Sequence, residues 1–446
     1  MLVSDSQASR SGAAGQMVDS STVPGMACMV GSMSGSGELQ RSLGVSDAVV
    51  IGAGSMIGAG VFAAWSPAAQ AGGTGLLIGL AIAGVVAFCN ATSSAQLAAI
   101  HPESGGTYVY GRRQLGLGWG HLAGWGFVVG KTASCAAMAL TVGVYLWPSQ
   151  PRVAAVLAVV LIAGVNIGGL SRTVAITRIL LAISVVALAA VVIAGWTSPD
   201  TSVDRLTPIT GSVGGILQSA GFLFFAFAGY ARIATLGEEV KDPETTIPRA
   251  IPLALSAVLL IYAVVGLTAL AAVGADVLAG TDAPLEVVAG SGAGFFGPMV
   301  RLGAGIASLG VLLNLIPGVS RTSLAMARNR ELPSWFAHID THRSLPLRAE
   351  LTVVAVVIVM VSLLSIRNSI AVSGVAVLTY YAITNASALT LSADQRRWPM
   401  AVAAIGLIGC LILIFALPPA AVFSGLLVLA AGVAVRQIQS RLNTGV

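Results

Sequence analysis

Apolar residues run along this chain in long blocks. They show neither the two-residue alternation of half-buried strands nor the narrow stripe of a surface helix. Blocks fall at residues 45–70, 74–99, 118–147, 152–168, 174–196, 213–235, 250–273, 297–328, 351–366, 368–391, 399–416 and 419–435. About 20 apolar residues in a helix cross a hydrocarbon layer of about 30 Å. The pattern predicts an all-α integral membrane protein with twelve transmembrane helices. The shortest connection is "SIRNSI", Ser365 to Ile370. Residues 1–43 are rich in Ser, Gly and Met and lack any period, which predicts a disordered tail. Residues 436–446 predict a second, C-terminal tail. Arg10 is the one basic residue near the start and no apolar core follows it, which argues against a cleaved signal peptide.

Composition supports this class. The 446 residues are 56% hydrophobic and only 9% charged, with mean hydropathy +0.89. A water-facing surface needs about 25% charged residues, so a soluble enzyme is excluded. Alternating ten-residue strands are absent, which excludes an outer-membrane barrel. Cys28, Cys89, Cys135 and Cys410 have no zinc or disulfide spacing and read as small buried hydrophobes. Basic and aromatic residues do not interleave as in a nucleic-acid surface. The lipid bilayer is the expected partner, with no nucleic acid.

Charge also orients the chain. With both termini cytoplasmic, the outer loops hold only Arg152, Arg205, Arg301 and Arg367 of the 23 Lys and Arg. Lys131 and Arg232 lie inside or beside apolar blocks, and the rest fall inside. This bias predicts a multi-pass protein of the cell membrane with cytoplasmic N- and C-termini.

Two blocks carry glycine interruptions. The first contains "IGAGSMIGAGVF", Ile51 to Phe62. The sixth contains "FLFFAFAGYARIATLGEEV", Phe222 to Val240. The first is not a dinucleotide fingerprint, because Gly58 lies four residues after Gly54 where three are required, and no Gly-Lys-Ser/Thr follows. Gly54 and Gly58 also form a GxxxG, which alone would argue equally for close helix packing. The matching interruption five blocks later favours two equivalent halves and a pair of broken helices, the sequence mark of a transporter site. A broken helix leaves N–H and C=O groups that need partners. A zwitterion offers both a carboxylate and an ammonium.

The residues then resemble a known family. "IGAGSMIGAGVF", "HPESGGTYVYGRRQLG" (101–116), "FFAFAGYARIATLGEEVKDPETTIPRAI" (224–251) and "GVSRTSLAMARNRELP" (318–333) resemble, in order, motifs of the amino acid–polyamine–organocation (APC) transporters, including bacterial relatives of cationic amino acid transporters. The resemblance covers the chain after residue 43. It implies a leucine-transporter-like 5+5 inverted repeat with helices 1 and 6 broken. The transport domain is then 44–435, with repeats at 44–196 and 213–391 and helices 11–12 at 399–435. It also implies that Ile57, Gly58, Ala59 and Gly60 receive the substrate carboxylate. Carbonyls near Met56, Phe225, Ala228 and Gly229 would receive the ammonium, and Phe225 and Phe227 would pack over the substrate.

The chain departs from the family pattern in places. Where many members have an acidic residue after the helix-6 glycine, this one has Ala231 followed by Arg232. At the position of a helix-5 lysine implicated in proton coupling it has Ser184. Lys131 instead lies about a dozen residues into the third block, where burial of a charge costs at least about 2.5–3.5 kcal/mol. It is a candidate proton carrier or substrate contact, against snorkelling or backbone capping. Asn314 is a mid-helix polar candidate or helix-to-helix glue. Glu238, Glu239, Lys241, Asp242 and Arg249 form a candidate inner gate or a solvated charge run. His338 and His342 have a metal-compatible spacing that most often arises by chance.

Neither an ATP-binding motif nor a nucleophile–base set is recognisable, and no enzyme activity, cofactor or metal is expected. The expected function is secondary active amino acid transport by alternating access. Proton symport or exchange is favoured over sodium coupling. A non-transporting amino acid sensor and a polyamine or amine transporter are the alternatives.

Overall fold

The computed structural model describes residues 43–101, 103, 105–168, 174–230, 233, 240–340 and 345–444. Arg232, Glu238, Glu239 and His342 lie outside the described residues. Among those described, the fold is helical throughout, with two isolated β-bridges, Leu43 to Val240 and Asp340 to Leu345.

The first apolar block becomes three helices: α1 (Val45–Met56), α2 (Ala59–Ala63) and α3 (Trp65–Gly72). Then follow α4 (Leu76–Ile100), α5 (Thr107–Gln114), α6 (Leu117–Leu146), α7 (Pro151–Ile167), α8 (Val174–Thr197) and α9 (Val213–Phe227). The last is continued by a 3-10 turn, Ala228–Tyr230. The second half holds α10 (Pro243–Ala279), α11 (Pro284–Gly290), α12 (Phe296–Arg328), α13 (Leu347–Leu363), α14 (Ile366–Leu389), α15 (Met400–Ala416) and α16 (Pro419–Thr444). Each of the twelve apolar blocks thus has a helical counterpart. Nine helical stretches among the described residues are long and apolar enough to cross a membrane, and α7 and α15 are shorter apolar helices.

Two boundaries moved outward from the apolar blocks. The block at 250–273 belongs to a helix that starts at Pro243, because the polar turn "PETTIPR" is also helical. Proline suits a first helical position, where its missing N–H would be unpaired anyway. The predicted tail at 436 is still helix, since α16 runs to Thr444. The short connection at "SIRNSI" is a real helix break. Ser365 caps α14 by accepting from the Asn368 N–H at 3.2 Å.

Burial sorts the helices into an inner and an outer set. In the apolar window of α14, 83% of residues are buried, and 78% in that of α6, against 22% in α16. Outer helices present large apolar side chains outward, such as Leu161, Phe415 and Phe423 at 60%, 68% and 72% exposure. Apolar exposure on this scale fits a lipid-facing surface. Inside, α6 packs along α12 and α14, and α4 packs against α9 and α10.

The two interrupted stretches cross with backbones in contact. A Cβ on Gly60 would stand 2.7 Å from Ala226 Cα, and one on Gly229 would stand 2.1 Å from the Ser55 carbonyl oxygen. Only glycine permits this approach. Gly58 similarly receives the Val311 side chain from α12, since a Cβ there would lie 2.2 Å from it. Both readings of the glycine stretch therefore hold together: the helix is broken, and its glycines are packing surfaces.

Gly229→Ala is expected to force the backbones apart at a cost of about 1–3 kcal/mol, the scale of core overpacking. Thermal melting of the purified protein checks this. A melting temperature equal to that of the unsubstituted protein would show that the crossing is not closely packed.

Candidate functional site

Helix α1 ends at Met56. Ile57 (φ −78°, ψ 70°) and Gly58 (φ −129°, ψ −149°) leave helical geometry before α2 begins. Met56 and Ile57 are buried, at 2% and 3% exposure, so the break lies inside the bundle. The opening N–H groups of any helix have no acceptor within it. Those of α2 start at Ala59 and Gly60, among the residues expected to meet a carboxylate. Facing them, α9 gives way to the 3-10 turn at Ala228–Tyr230, with Phe227 and Ala228 also buried. The two breaks are therefore brought together, through Gly229 against Ser55 and Met56.

Side chains from three other helices close on the freed carbonyls. The Tyr262 hydroxyl, from α10, faces the Met56 carbonyl at 2.7 Å and the Ala226 carbonyl at 3.1 Å, and can donate to one at a time. The Met56 carbonyl also accepts from the Gly58 N–H at 2.8 Å. The Ala228 carbonyl accepts from Lys131 Nζ of α6 at 3.1 Å and from the Tyr381 hydroxyl of α14 at 3.2 Å. Further along α6, the Tyr145 hydroxyl donates to the Phe62 carbonyl of α2 at 2.9 Å. It also accepts from the Leu285 N–H of α11 at 3.4 Å.

The remaining candidates are placed as follows. Phe227 is fully buried and its ring packs on Tyr262, with centroids 5.1 Å apart. Phe225 is 6% exposed. Ser184 is buried, and its hydroxyl returns to the Leu180 carbonyl of its own helix at 2.8 Å. Asn314 is exposed and its amide returns to the Gly310 carbonyl one turn back, at 3.0 Å. Neither polar group is directed by these bonds toward the breaks. Lys241, Asp242 and Arg249 are exposed.

Sequence reading missed Tyr262, Tyr381 and Tyr145. A signal existed: each is a phenol in an apolar block, Tyr381 beside Tyr380, and a buried phenol usually finds a hydrogen-bond partner. Which carbonyl it meets depends on packing between helices remote in sequence.

A second polar cluster joins α5, α6, the segment after α12, and α16. Arg112 pairs with Glu331, whose side chain is 8% exposed. Arg112 and the Asn329 amide each donate to the Tyr108 hydroxyl at 2.8 Å. Burial, then the nearby Glu331 charge, pushes the Tyr108 phenol up to about 12, so it remains a neutral hydroxyl. His121 Nε2 lies 2.8 Å from the Gly432 carbonyl and so carries a proton there. Its Nδ1 faces Glu331 Oε2 at 3.5 Å. The His121 contact with the Gly432 carbonyl ties α16 to this cluster.

Two substitutions test these contacts. Tyr262→Phe removes a hydroxyl worth about 0.5–1.5 kcal/mol net and is expected to lower the melting temperature of the purified protein. A melting temperature equal to that of the unsubstituted protein would make the phenol a packing group only. Glu331→Gln removes the charge facing Arg112 and is expected to cost about 1.5–3 kcal/mol, read as earlier thermal unfolding.

Comparison with known proteins identifies the family. The model of the amino acid permease family matches residues 43–434. The chain is 56% identical over 409 residues to an uncharacterized transporter of Mycobacterium tuberculosis, covering 91% of this chain and 93% of that one. It is 26% identical over 346 residues to a branched-chain amino acid permease of Bacillus subtilis, covering 71% and 74% of the two chains. It is 25% identical over 344 residues to the chloroplastic cationic amino acid transporter 7 of Arabidopsis thaliana, covering 70% and 59%. With its helical bundle and its family motifs in order, the chain belongs to the amino acid permease family of the APC superfamily.

Proposed function

We propose that this protein is a secondary active transporter that carries an amino acid across the cell membrane by alternating access. The observation that carries this reading is the meeting of two interrupted helices in the buried middle of the bundle, at Ile57–Gly58 and Ala228–Tyr230. Backbone polar groups away from water are tolerated where a ligand or the protein satisfies them. The names of the relatives, a branched-chain amino acid permease and a cationic amino acid transporter, support an amino acid as the substrate class.

In this reading the chain has twelve spans. The first is α1 to α3 together; the others are α4, α6 to α10 and α12 to α16. The first ten form two inverted five-helix repeats, and the excess of Lys and Arg places both termini in the cytoplasm. The N–H groups at the start of α2 receive the substrate carboxylate. Its ammonium competes with the Tyr262 hydroxyl for the Met56 carbonyl, where a charged donor binds more strongly than a neutral one. Phe225 and Phe227 pack over the bound molecule.

Alternating access requires contacts at the two ends that break and reform. Candidates on the proposed cytoplasmic side are Arg178 with Asp47 at 2.5 Å, the Leu43–Val240 bridge and the Arg112–Glu331–His121 cluster. On the other side, Arg301 meets Glu286 at 3.5 Å and donates to the Tyr145 carbonyl at 2.9 Å. Transport is coupled to protons or runs as exchange.

Uptake of labelled amino acids into proteoliposomes, with and without an inward acid gradient, tests the proposal. Saturable uptake raised by outside acid is expected for a proton symporter. Uptake only into liposomes preloaded with amino acid would identify an exchanger. No uptake of any amino acid by folded protein would overturn transport in favour of a sensor or an amine carrier.

A further inference from the structure

A carbonyl oxygen has two lone pairs. Both pairs are engaged by the chain itself at the Ala228 carbonyl, by Lys131 Nζ at 3.1 Å and the Tyr381 hydroxyl at 3.2 Å. The same holds at the Met56 carbonyl, with the Tyr262 hydroxyl at 2.7 Å and the Gly58 N–H at 2.8 Å. One of these four donors is an ammonium group. The place that the family resemblance reserves for a substrate ammonium is therefore held, at Ala228, by the protein's own lysine.

Lys131 stands halfway along the 30-residue α6 and is 7% exposed. Among the described residues, no Asp or Glu forms an ion pair with it. Arg112–Glu331, Arg113–Glu103, Arg178–Asp47 and Arg301–Glu286 pair these carboxylates with other cations. Next to Lys131, Ser134 is engaged with Ser373 at 2.8 Å, and Cys135 is a buried free thiol. A buried ammonium satisfied only by a carbonyl dipole remains an uncompensated charge.

Charge accounting then discriminates between substrates. A neutral amino acid bound here leaves the closed site with one net positive charge, and places its ammonium near that of Lys131. A cationic one leaves two positive charges. An amino acid with a second carboxylate makes the site neutral. Gly229 rests on the Ser55 and Met56 backbone, and the Tyr262 hydroxyl reaches both the Met56 and the Ala226 carbonyls, so the groups freed at the two breaks lie together. We infer that the substrate is an acidic amino acid, with its side-chain carboxylate on Lys131, its ammonium on the Met56 carbonyl, where the Tyr262 hydroxyl turns instead to the Ala226 carbonyl, and its α-carboxylate at the start of α2. Lys131 is then the specificity-determining residue. This inference rests on the transport reading above.

The test compares aspartate, glutamate, leucine and arginine in the proteoliposome assay, using the full chain and its Lys131→Gln and Lys131→Arg variants. Ligand-induced thermal shifts in detergent provide a readout that does not need transport. Aspartate or glutamate is expected to saturate uptake and raise the melting temperature at concentrations where leucine and arginine do neither. Lys131→Gln is expected to lower the acidic-to-leucine uptake ratio by at least about tenfold, the scale of a lost buried charge partner. Lys131→Arg, which keeps the charge, is expected to retain the acidic preference. If Lys131→Gln does not fold, the wild-type panel and the Arg variant still decide the question. Preference of the wild-type protein for leucine or arginine would overturn the inference while leaving transport intact. So would a Lys131→Gln protein whose pH profile changes but whose selectivity does not, since Lys131 would then be a proton carrier. Absence of both uptake and thermal shift for every amino acid would instead remove the transport reading itself.

Discussion

A backbone amide or carbonyl that leaves helical geometry inside an apolar bundle must find another partner. The arrangement of this protein follows from meeting that requirement twice in one place. Helix α1 stops at Met56 and α9 gives way at Ala228, and each break alone would expose several polar groups. Glycine lets the two breaks touch: Gly60 lies on Ala226 and Gly229 on Ser55. Three further helices then supply donors: α6 through Lys131, α10 through Tyr262 and α14 through Tyr381. These contacts place five helices around a common point.

The bonds that hold this point differ in kind from the packing around it. The inner helices α6 and α14 are largely buried and interlock with α12 and α15 through apolar side chains and small residues. Such packing resists gradual deformation. The breaks are held instead by a few hydrogen bonds, those from hydroxyls worth about 0.5–1.5 kcal/mol net and that from the Lys131 ammonium about 1.5–3 kcal/mol. Away from the breaks, ion pairs and a short bridge also join separate segments of the chain, including Arg178–Asp47, Arg301–Glu286 and Leu43–Val240.

Much of this was legible in the chain because membrane insertion leaves a strong signal. Each apolar block has a helix, and the interruptions at 57–58 and 228–230 fall where the glycines placed them. The boundaries at Pro243 and Thr444 were missed for a physical reason. Hydropathy marks where a helix meets lipid, whereas the backbone pattern continues into the polar turns beyond. Ser184 was singled out because it stands where the family pattern has a lysine, and Asn314 because it is polar and lies mid-helix. Their side chains bond to carbonyls of their own helices, a local option that composition does not reveal. The three tyrosines were overlooked for the converse reason, since a phenol in an apolar block resembles any other core aromatic.

The sequence by itself determined the solvent, the helix count within soft limits, and the two points at which helices break. Those properties are local sums: transfer of side chains into hydrocarbon, and the conformational freedom of glycine. Tertiary structure alone decided which groups satisfy the broken backbone. Lys131 and Ala228 are 97 positions apart, Tyr262 and Met56 are 206, and Arg112 and Glu331 are 219. A hydrogen bond depends on a few tenths of an ångström and on direction, and over such separations both are set by how whole helices cross.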